Sequence, residues 1–323
     1  MFNLETTVGW YLAGVMMPLN GDVAKGIVVR NCTNNYYGGE LAQVRRELRN
    51  PKRGAPATVA PRPKPPTPRP GPKWQNREFR ELQKDFYLVN TEAAFGQEFY
   101  KWWEDTVKIA PTEFFSRLLD GVSVSKEGSL TLKFNRGEFH YSYRNVQEGI
   151  SFQRAISGSV AGGNLQVEHD LFTLRETAQS SGIGKRLLGN SMKLYQEMGV
   201  SEIVTLANIS VGGYAWAKYG FYPSGPTAWQ TLIDNIEDRL PLLSAQNSKI
   251  SKAVADFLDK NRNNPQAVWE LSDMDQKVPG RFAGEIQKLG KRLLLKQSWP
   301  AVLELDNKEA MARFNAYVYG QKK

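Results

Sequence analysis

The spacing of the hydrophobic positions changes twice along this chain. Between residues 74 and 109 apolar side chains recur every three or four residues, which predicts helices, and a further helix start follows at Pro111. From residue 121 to residue 174 apolar and polar positions alternate, which predicts a series of strands joined by glycine-containing turns. The pattern therefore predicts a mixed α/β (α+β) protein in which helices precede a sheet.

The helical spacing returns after the last of these strands. A glycine-containing turn leads from the strand at residues 166–174 into an amphipathic helix that starts near Ile183 and is closed by Gly199. A buried strand follows at residues 203–207, and this order predicts a crossover between two strands of one sheet. Beyond residue 226 the spacing predicts mainly helices, among them one at residues 282–295, with one extended piece at residues 299–305.

Changes of composition divide the chain into segments. We predict an N-terminal segment that binds a partner or is partly ordered, a basic proline-rich linker, a helical segment, a sheet-containing core and a mainly helical C-terminal extension. These segments comprise residues 1–50, 51–73, 74–120, 121–226 and 227–323.

The positive charge is concentrated in one arm. Residues 45–80 contain eleven lysines and arginines against two glutamates, so this arm alone accounts for the formal net charge of +9. Nine prolines between residues 51 and 72 exclude helix and favour an extended polyproline II conformation. Such an arm suits DNA, an acidic protein surface or anionic lipid, and a semi-rigid solubilising spacer is the alternative.

The remaining composition narrows the class of protein. Glu5 stands where a signal peptide would carry positive charge, so we expect no secretory signal, and the apolar run at residues 8–19 is too short to span a bilayer. A single cysteine, Cys32, with His140 and His169 as the sole histidines, leaves little for a metal site. We therefore expect neither a transmembrane segment nor a bound metal.

The turn between the strand at residues 166–174 and the following helix favours binding of an anion. Gly182 and Gly184 allow close approach of the backbone, the first amides of a helix have no intrahelical acceptor, and Lys185 adds positive charge. A P-loop is excluded because Gln179 stands where its first glycine belongs. A dinucleotide-binding loop is excluded because Leu187 occupies the position of the third glycine.

This stretch resembles the Gcn5-related N-acetyltransferase (GNAT) superfamily over residues 121–226. Gln179, Gly182 and Gly184 match the superfamily's Gln/Arg-x-x-Gly-x-Gly/Ala loop, and Phe172 and Leu174 match the two strand positions before it. Downstream, the segment from Asn208 to a Gly-Phe pair has the superfamily's outline but is one residue longer, and Trp216 occupies the usual tyrosine position. The resemblance implies a mostly antiparallel central sheet flanked by helices.

The resemblance also implies a function, namely transfer of an acetyl group from acetyl-coenzyme A (acetyl-CoA) to an unidentified amine by direct attack. Glu168 and Asp170 lie on the same side of the strand by the period of two, and Glu168 is the expected base. Tyr214 or Tyr219 would protonate the departing thiolate, and Tyr214 is the expected acid. Ordinary strand and packing roles are the alternatives for Glu168 and Tyr214. The backbone of residues 172–174 would pair with the pantetheine arm, and the amides of residues 181–185 would bind the pyrophosphate. The full expected cofactor set is Phe172, Leu174, Gln179, Ser180, Ser181, Gly182, Ile183, Gly184, Lys185 and Asn208.

A structural role is the main alternative to catalysis. Residues 212–221 are similar to acetyltransferase-like domains embedded in phage-encoded multidomain proteins. A virion or ejection-associated protein would use such a domain as a scaffold, with residues 45–80 binding DNA or other subunits. We therefore expect the protein in the cytoplasm of a bacterial host or in a virion.

Overall fold

A computed structural model describes most of the chain after residue 75. The described residues are 76–89, 96–122, 128–135, 137–158, 165–175, 178, 181–208, 212–280 and 284–320. The predicted segments 1–50 and 51–73, and with them most of the basic arm, lie outside the described residues, as do Cys32, Gln179 and Ser180.

The described residues form groups of helices and groups of strands that follow one another along the chain. The helices are α1 (Asn76–Glu81), α2 (Gln97–Thr106), α3 (Pro111–Leu119), α4 (Ile183–Met198), α5 (Gly212–Lys218), α6 (Pro226–Glu237), α7 (Leu240–Gln246), α8 (Ser248–Lys260), α9 (Val268–Asp273), α10 (Leu289–Leu294) and α11 (Lys308–Tyr319). The strands are β1 (Tyr87–Val89), β2 (Ser129–Asn135), β3 (Glu138–Asn145), β4 (Ile150–Ser157), β5 (Gln166–Leu174), β6 (Glu202–Ala207), β7 (Tyr222–Pro223), β8 (Lys277–Pro279), β9 (Ile286–Lys288) and β10 (Trp299–Glu304).

Eight of the strands form one large sheet in the order β1-β2-β3-β4-β5-β6-β10-β7, and β8 and β9 pair separately. The pairs β1/β2 and β5/β6 are parallel, and the other neighbours in the sheet are antiparallel. The predicted fold class, a mixed α/β protein with a mostly antiparallel sheet flanked by helices, is thus confirmed. The predicted crossover is confirmed too, because α4 connects the parallel strands β5 and β6.

Two local predictions are wrong. Residues 87–89 lie within the predicted helical stretch but form β1, because this short segment pairs in parallel with the edge of β2. The predicted helix at residues 282–295 is replaced in part by β9, whose residues pair with β8. In both places pairing with a distant segment outweighs the local helical spacing.

One face of the sheet is filled by aromatic side chains. On β3, Phe139, Tyr141 and Tyr143 alternate with polar residues and are buried. The Phe114 and Phe115 rings of α3 lie 5.8 and 5.7 Å from the ring of Tyr141 in edge-on contact. Burying each such ring stabilises the fold by about 1.5–3 kcal/mol, which explains why the strand follows the period of two. Polar side chains, such as His140 and Ser142, stand on the opposite face.

Helix α4 packs on this sheet between α3 and α11. Asn190 donates side-chain hydrogen bonds to the carbonyls of Leu118 and Asp120, at 3.2 and 2.9 Å. On its other side, the Tyr319 hydroxyl donates to the Gly189 carbonyl at 3.1 Å. A side chain at Gly189 would come within 3.0 Å of the Tyr319 ring, so glycine permits this close helix contact. These contacts fix α4, and therefore its N-terminal turn, relative to the sheet.

The segment after residue 226 supplies β10, the second strand from one edge of the sheet. Strand β10 lies between β6 and β7 and pairs antiparallel with both. Its pairing with β6 runs from Trp299 opposite Ala207 to Glu304 opposite Glu202. The predicted extended piece at residues 299–305 is therefore a strand of the main sheet. Asp273 joins three helices, because it accepts hydrogen bonds from Lys218 at 2.5 Å and from Arg313 at 2.8 Å.

Candidate functional site

The parallel strands β5 and β6 separate at their carboxyl ends. The β5/β6 pairing ends with His169 opposite Thr205. In the part of the chain that the structure describes, residues 171–174 of β5 pair with β4 alone, and the last two residues of β6 pair with β10 alone. We call this opening the fork. Crevices at the carboxyl ends of parallel strands are common ligand sites in α/β sheets.

The N-terminus of α4 stands at the end of β5. A Cβ atom added at Gly184 would lie 3.2 Å from the Phe172 ring and 3.7 Å from a methyl group of Leu174. Glycine at this position thus allows the helix to approach the strand closely. The structure brings together these three residues, which the sequence predicted as part of one cofactor site.

Among the described residues, the space next to Gly182, at the start of α4, is open. Gly182 has a left-handed conformation with φ of +83°, which glycine adopts without strain, and no described atom comes within 4 Å of a Cβ placed there. The first intrahelical hydrogen bond is donated by the Arg186 amide to the Gly182 carbonyl at 3.0 Å. The amides that precede it, from Gly182 to Lys185, have no intrahelical acceptor and carry the positive end of the helix dipole.

The side chains around this turn differ in their contacts. Ser181 is exposed, and its hydroxyl donates to the Ala178 carbonyl at 2.6 Å. Lys185 is exposed, with Nζ 4.5 Å from the centre of the Tyr317 ring. Arg186 instead donates to the Gly121 carbonyl at 2.5 Å. Lys185 is therefore the cation of this turn best placed to meet a phosphate.

Glu168 and Asp170 form a hydrogen-bonded carboxyl pair on β5. The register between β4 and β5 shifts so that Gln153 pairs with Leu171 while Arg154 pairs with His169, which leaves Asp170 as an extra, bulged residue. Such a bulge redirects a side chain out of the regular alternation. Desolvation, together with the charge of Glu168 and its hydrogen bond, raises the pKa of Asp170 to about 7.

Asp170 of this pair lines an open cavity of about 350 Å³ on the polar face of the sheet. Its lining residues come from four adjacent strands: Thr131, Lys133, Asn135, His140, Tyr141, Ser142, Gln153, Arg154 and Asp170. His140 Nε2 lies 3.2 Å from a carboxylate oxygen of Glu138, and this hydrogen bond raises the pKa of His140. The cavity therefore combines acidic groups with cations that partly neutralise them.

Tyr214 lies on α5. It is half-buried, and burial raises the pKa of its phenol, so the hydroxyl stays protonated at neutral pH. The charged groups that act on it include Lys288, Asp275 and Asp273. Asn208 is half-buried directly after β6, beside the fork.

Sequence reasoning missed a buried polar cluster beneath the fork. The Tyr195 hydroxyl lies 3.1 Å from His169 Nε2 and 3.3 Å from the Tyr141 hydroxyl, and Arg154 is directly opposite His169 in the sheet. Burial lowers the pKa of His169 well below its usual value, so the ring is neutral. The signal was present on β4, where the period of two places Arg154 in phase with the apolar residues Phe152 and Ile156.

Trp216 completes this cluster from α5. Its indole is buried, and its ring centre lies 6.3 Å from that of His169 and 4.7 Å from that of Phe221. The residue at the usual tyrosine position of the resembled superfamily is therefore packed in the core of this fold.

Comparison with known proteins adds no assignment: no model of a known protein family matches this chain, and no curated protein matches its sequence. Within the described residues no group of three or more histidine, cysteine, aspartate or glutamate side chains is arranged to hold a metal ion. None of the helices in the described part of the chain combines the length and the apolar character that a membrane span requires.

Proposed function

We propose that this protein is an acetyl-CoA-dependent N-acetyltransferase that transfers the acetyl group to an amine by direct attack. The observation that carries the proposal is the juxtaposition of the open α4 N-terminus with the fork, through the contact of Gly184 with Phe172 and Leu174. The resemblance of residues 121–226 to the GNAT superfamily supports it, as does the mostly antiparallel sheet with a helix crossing between two separating strands.

The cofactor would span the two parts of this site. The pyrophosphate would accept hydrogen bonds from the amides of residues 182–185, which have no intrahelical acceptor, at the point where the helix dipole and Lys185 favour negative charge. Of these amides, that of Ile183 donates to the Ser181 hydroxyl oxygen at 3.5 Å. The pantetheine arm would lie along the edge of β5 that no longer pairs with β6, and its amides would take the place of a neighbouring strand. Asn208 at the end of β6 would border the same opening.

The chemistry requires a neutral amine. An aliphatic amine is protonated at pH 7 and must lose a proton before its nitrogen forms a bond to the thioester carbon. The Glu168–Asp170 pair suits this step, because a base with a pKa near the working pH is the most effective one. As the carbon–sulfur bond breaks, the departing thiolate takes up a proton. Tyr214 remains the predicted donor of that proton.

A charge reversal in the first turn of α4 tests cofactor binding. We expect Lys185→Glu to weaken acetyl-CoA binding by about tenfold or more, since it replaces an attraction to phosphate with a repulsion. A glutamate in the first turn of a helix is favourable by itself, so the free energy of unfolding should change little. Isothermal titration calorimetry with acetyl-CoA measures the first effect, and urea unfolding measures the second.

Lys193→Glu is the matched control, because Lys193 is exposed on the same helix but lies away from its N-terminus. This variant should bind acetyl-CoA like the unaltered chain. Equal weakening by both variants would point to non-specific charge attraction, and an unaltered chain that binds no acetyl-CoA would refute the proposal.

The second candidate is a structural protein that uses this fold as a scaffold in an assembly such as a phage virion. The burial of Trp216 at the usual tyrosine position favours it. The two candidates differ in turnover. Release of the coenzyme A thiol across a panel of amines supports the enzyme, whereas cofactor binding without thiol release supports the scaffold.

A further inference from the structure

Arg154 is a buried cation with an incomplete set of partners. Only 2% of its surface is exposed, and its Nη1 donates to the carbonyls of Gln153 and Leu171 at 2.8 and 2.9 Å. Its Nη2 is buried and has no hydrogen-bond partner among the described residues. Both acceptors are neutral, and a buried charge that no anion balances is costly. Burial and the neighbouring Glu168 raise the pKa of Asp170, and the charge of Arg154 opposes that rise. No ion pair joins Arg154 to Asp170 in the described part of the chain.

Two more buried nitrogen atoms, one on His169 opposite Arg154 and one on Trp216 next to His169, lack partners among the described residues. His169 Nδ1 and Trp216 Nε1 have no hydrogen-bond partner among the described residues. His169 is opposite Arg154 in the sheet and is the last residue of β5 that pairs with β6. Trp216 Nε1 would lie 3.9 Å from a Cβ placed on Gly212, which itself adjoins the Ala207 carbonyl carbon at the end of β6. All three nitrogen atoms therefore lie on residues that surround the point where the strands separate.

The chemistry of these atoms selects a ligand group. The guanidinium and the indole are donors only, and His169 Nδ1 is a further donor if its Nε2 accepts from the Tyr195 hydroxyl. A water molecule could accept from one or two of them but would leave the charge of Arg154 unbalanced. A carboxylate supplies two acceptor oxygens and one negative charge, and it matches the planar guanidinium in geometry.

We propose that the fork takes an acyl group that ends in a carboxylate, so that the preferred donor is a coenzyme A thioester of a short dicarboxylic acid. This inference rests on the proposed function. Arg154 holds the Leu171 carbonyl, and Leu171 directly precedes the strand segment along which the pantetheine arm would lie. An acyl chain that reached His169, where the β5/β6 pairing ends, would lie next to the position of Arg154, which is opposite His169 on the neighbouring strand β4. In the transfer the amine nitrogen bonds to the thioester carbon, the carbon–sulfur bond breaks, and the distal carboxylate is unchanged.

Binding of four ligands to the full chain tests this inference. Titration calorimetry compares coenzyme A, acetyl-CoA, malonyl-CoA and succinyl-CoA. We expect malonyl- or succinyl-CoA to bind about tenfold more tightly than acetyl-CoA, or better, because a buried and paired charge is a strong specificity contact. Binding of all four with equal affinity would overturn the inference and leave the proposed function standing. Binding of none of them would overturn both.

Substitution of Arg154 tests whether this residue causes the preference for a carboxylated thioester over acetyl-CoA. Arg154→Met keeps a long apolar stem and removes the charge, so it should abolish the preference for the carboxylated thioester and leave the acetyl-CoA affinity within about threefold. A preference that survives this change would overturn the inference. If Arg154→Met does not unfold cooperatively in urea, Trp216→Phe is the variant that tests the inference. It removes the indole hydrogen-bond donor and keeps an aromatic ring. Trp216→Phe should weaken the carboxylated thioester alone, and equal weakening of acetyl-CoA would count against the proposed contact.

Discussion

At the scale of single residues, the bulge at Asp170 has the largest consequence for the chemistry. Regular alternation would place successive side chains of β5 on opposite faces of the sheet. The extra residue has no partner on β4, and at this position Asp170 lines the cavity. Glu168 and Asp170 are two residues apart, so they lie on one side of the strand, where they form a hydrogen-bonded carboxyl pair.

The raised pKa of Asp170 predicts how stability depends on pH. The pKa is raised from 3.8 to about 7 in the folded protein, so the folded state holds this proton more tightly than the unfolded state does. The stabilising contribution is complete below the unfolded pKa and is lost as the pH rises through about 7. Asp170→Asn should therefore lose less stability than the unaltered chain between pH 4 and pH 7.

Urea unfolding at a series of pH values measures this difference. Asp256→Asn is the control, because Asp256 is an exposed residue of α8 whose one ion-pair contact, with Lys252, is 3.9 Å long. This control should follow the pH dependence of the unaltered chain. Parallel curves for Asp170→Asn and the unaltered chain would contradict the prediction.

At the scale of elements, α4 is held in place by neighbours that come from both ends of the described chain. Helix α3 accepts hydrogen bonds from Asn190, and Arg117 of α3 forms an ion pair with Glu197. Helix α11 contacts the middle of α4 through Tyr319. The position of the α4 N-terminus over β5 therefore depends on packing that includes the last helix.

The N-cap of α11 offers a test of that dependence. The side chain of Asn307 accepts hydrogen bonds from the amides of Glu309 and Ala310, both at 3.1 Å. Asn307→Ala should reduce the free energy of unfolding by about 1 kcal/mol, the usual effect of losing an N-cap. Asn307→Asp keeps the acceptor and should unfold like the unaltered chain. Equal losses for both variants would show that the effect does not come from the cap.

At the scale of the whole molecule, β10 ties the C-terminal segment into the sheet. It pairs with β6 over six residues, and it is the neighbour of β7 within the described sheet. The ion pairs that join Asp273 to Lys218 and Arg313 connect helices from before and after residue 226. Residues 121–226 thus share one sheet and one set of packed helices with the segment that follows them.

This arrangement predicts that a chain ending at residue 226 does not fold. Its β6 would present an unpaired edge, and β7 would lose the strand that holds it. We expect such a chain to show no cooperative unfolding transition in urea by far-ultraviolet circular dichroism. A truncated chain that unfolds cooperatively, with a spectrum of mixed helix and strand, would contradict this prediction and would support a separate domain with its boundary near residue 226.

The sequence by itself determined the class of fold and the location of the turn at the start of α4. Alternation on β3 and helical spacing on α4 report burial directly, because each depends only on residues near one another in the chain. The turn at Gly182 and Gly184 could be predicted for the same reason, since the conformational freedom of glycine and its lack of a side chain are local properties. The same local reasoning was wrong at residues 87–89, where pairing with β2 decides the structure.

Only the tertiary structure decided the features that depend on register between distant strands. The bulge at Asp170 exists because of how β5 pairs with β4, and β10 lies between β6 and β7 although some 75 residues separate it from β7 in the chain. Local spacing placed Arg154 on an apolar face, but only the packed structure shows that this cation lies beside His169 and Trp216. The energetic significance of a buried charge comes from what surrounds it, and those surroundings are assembled by folding.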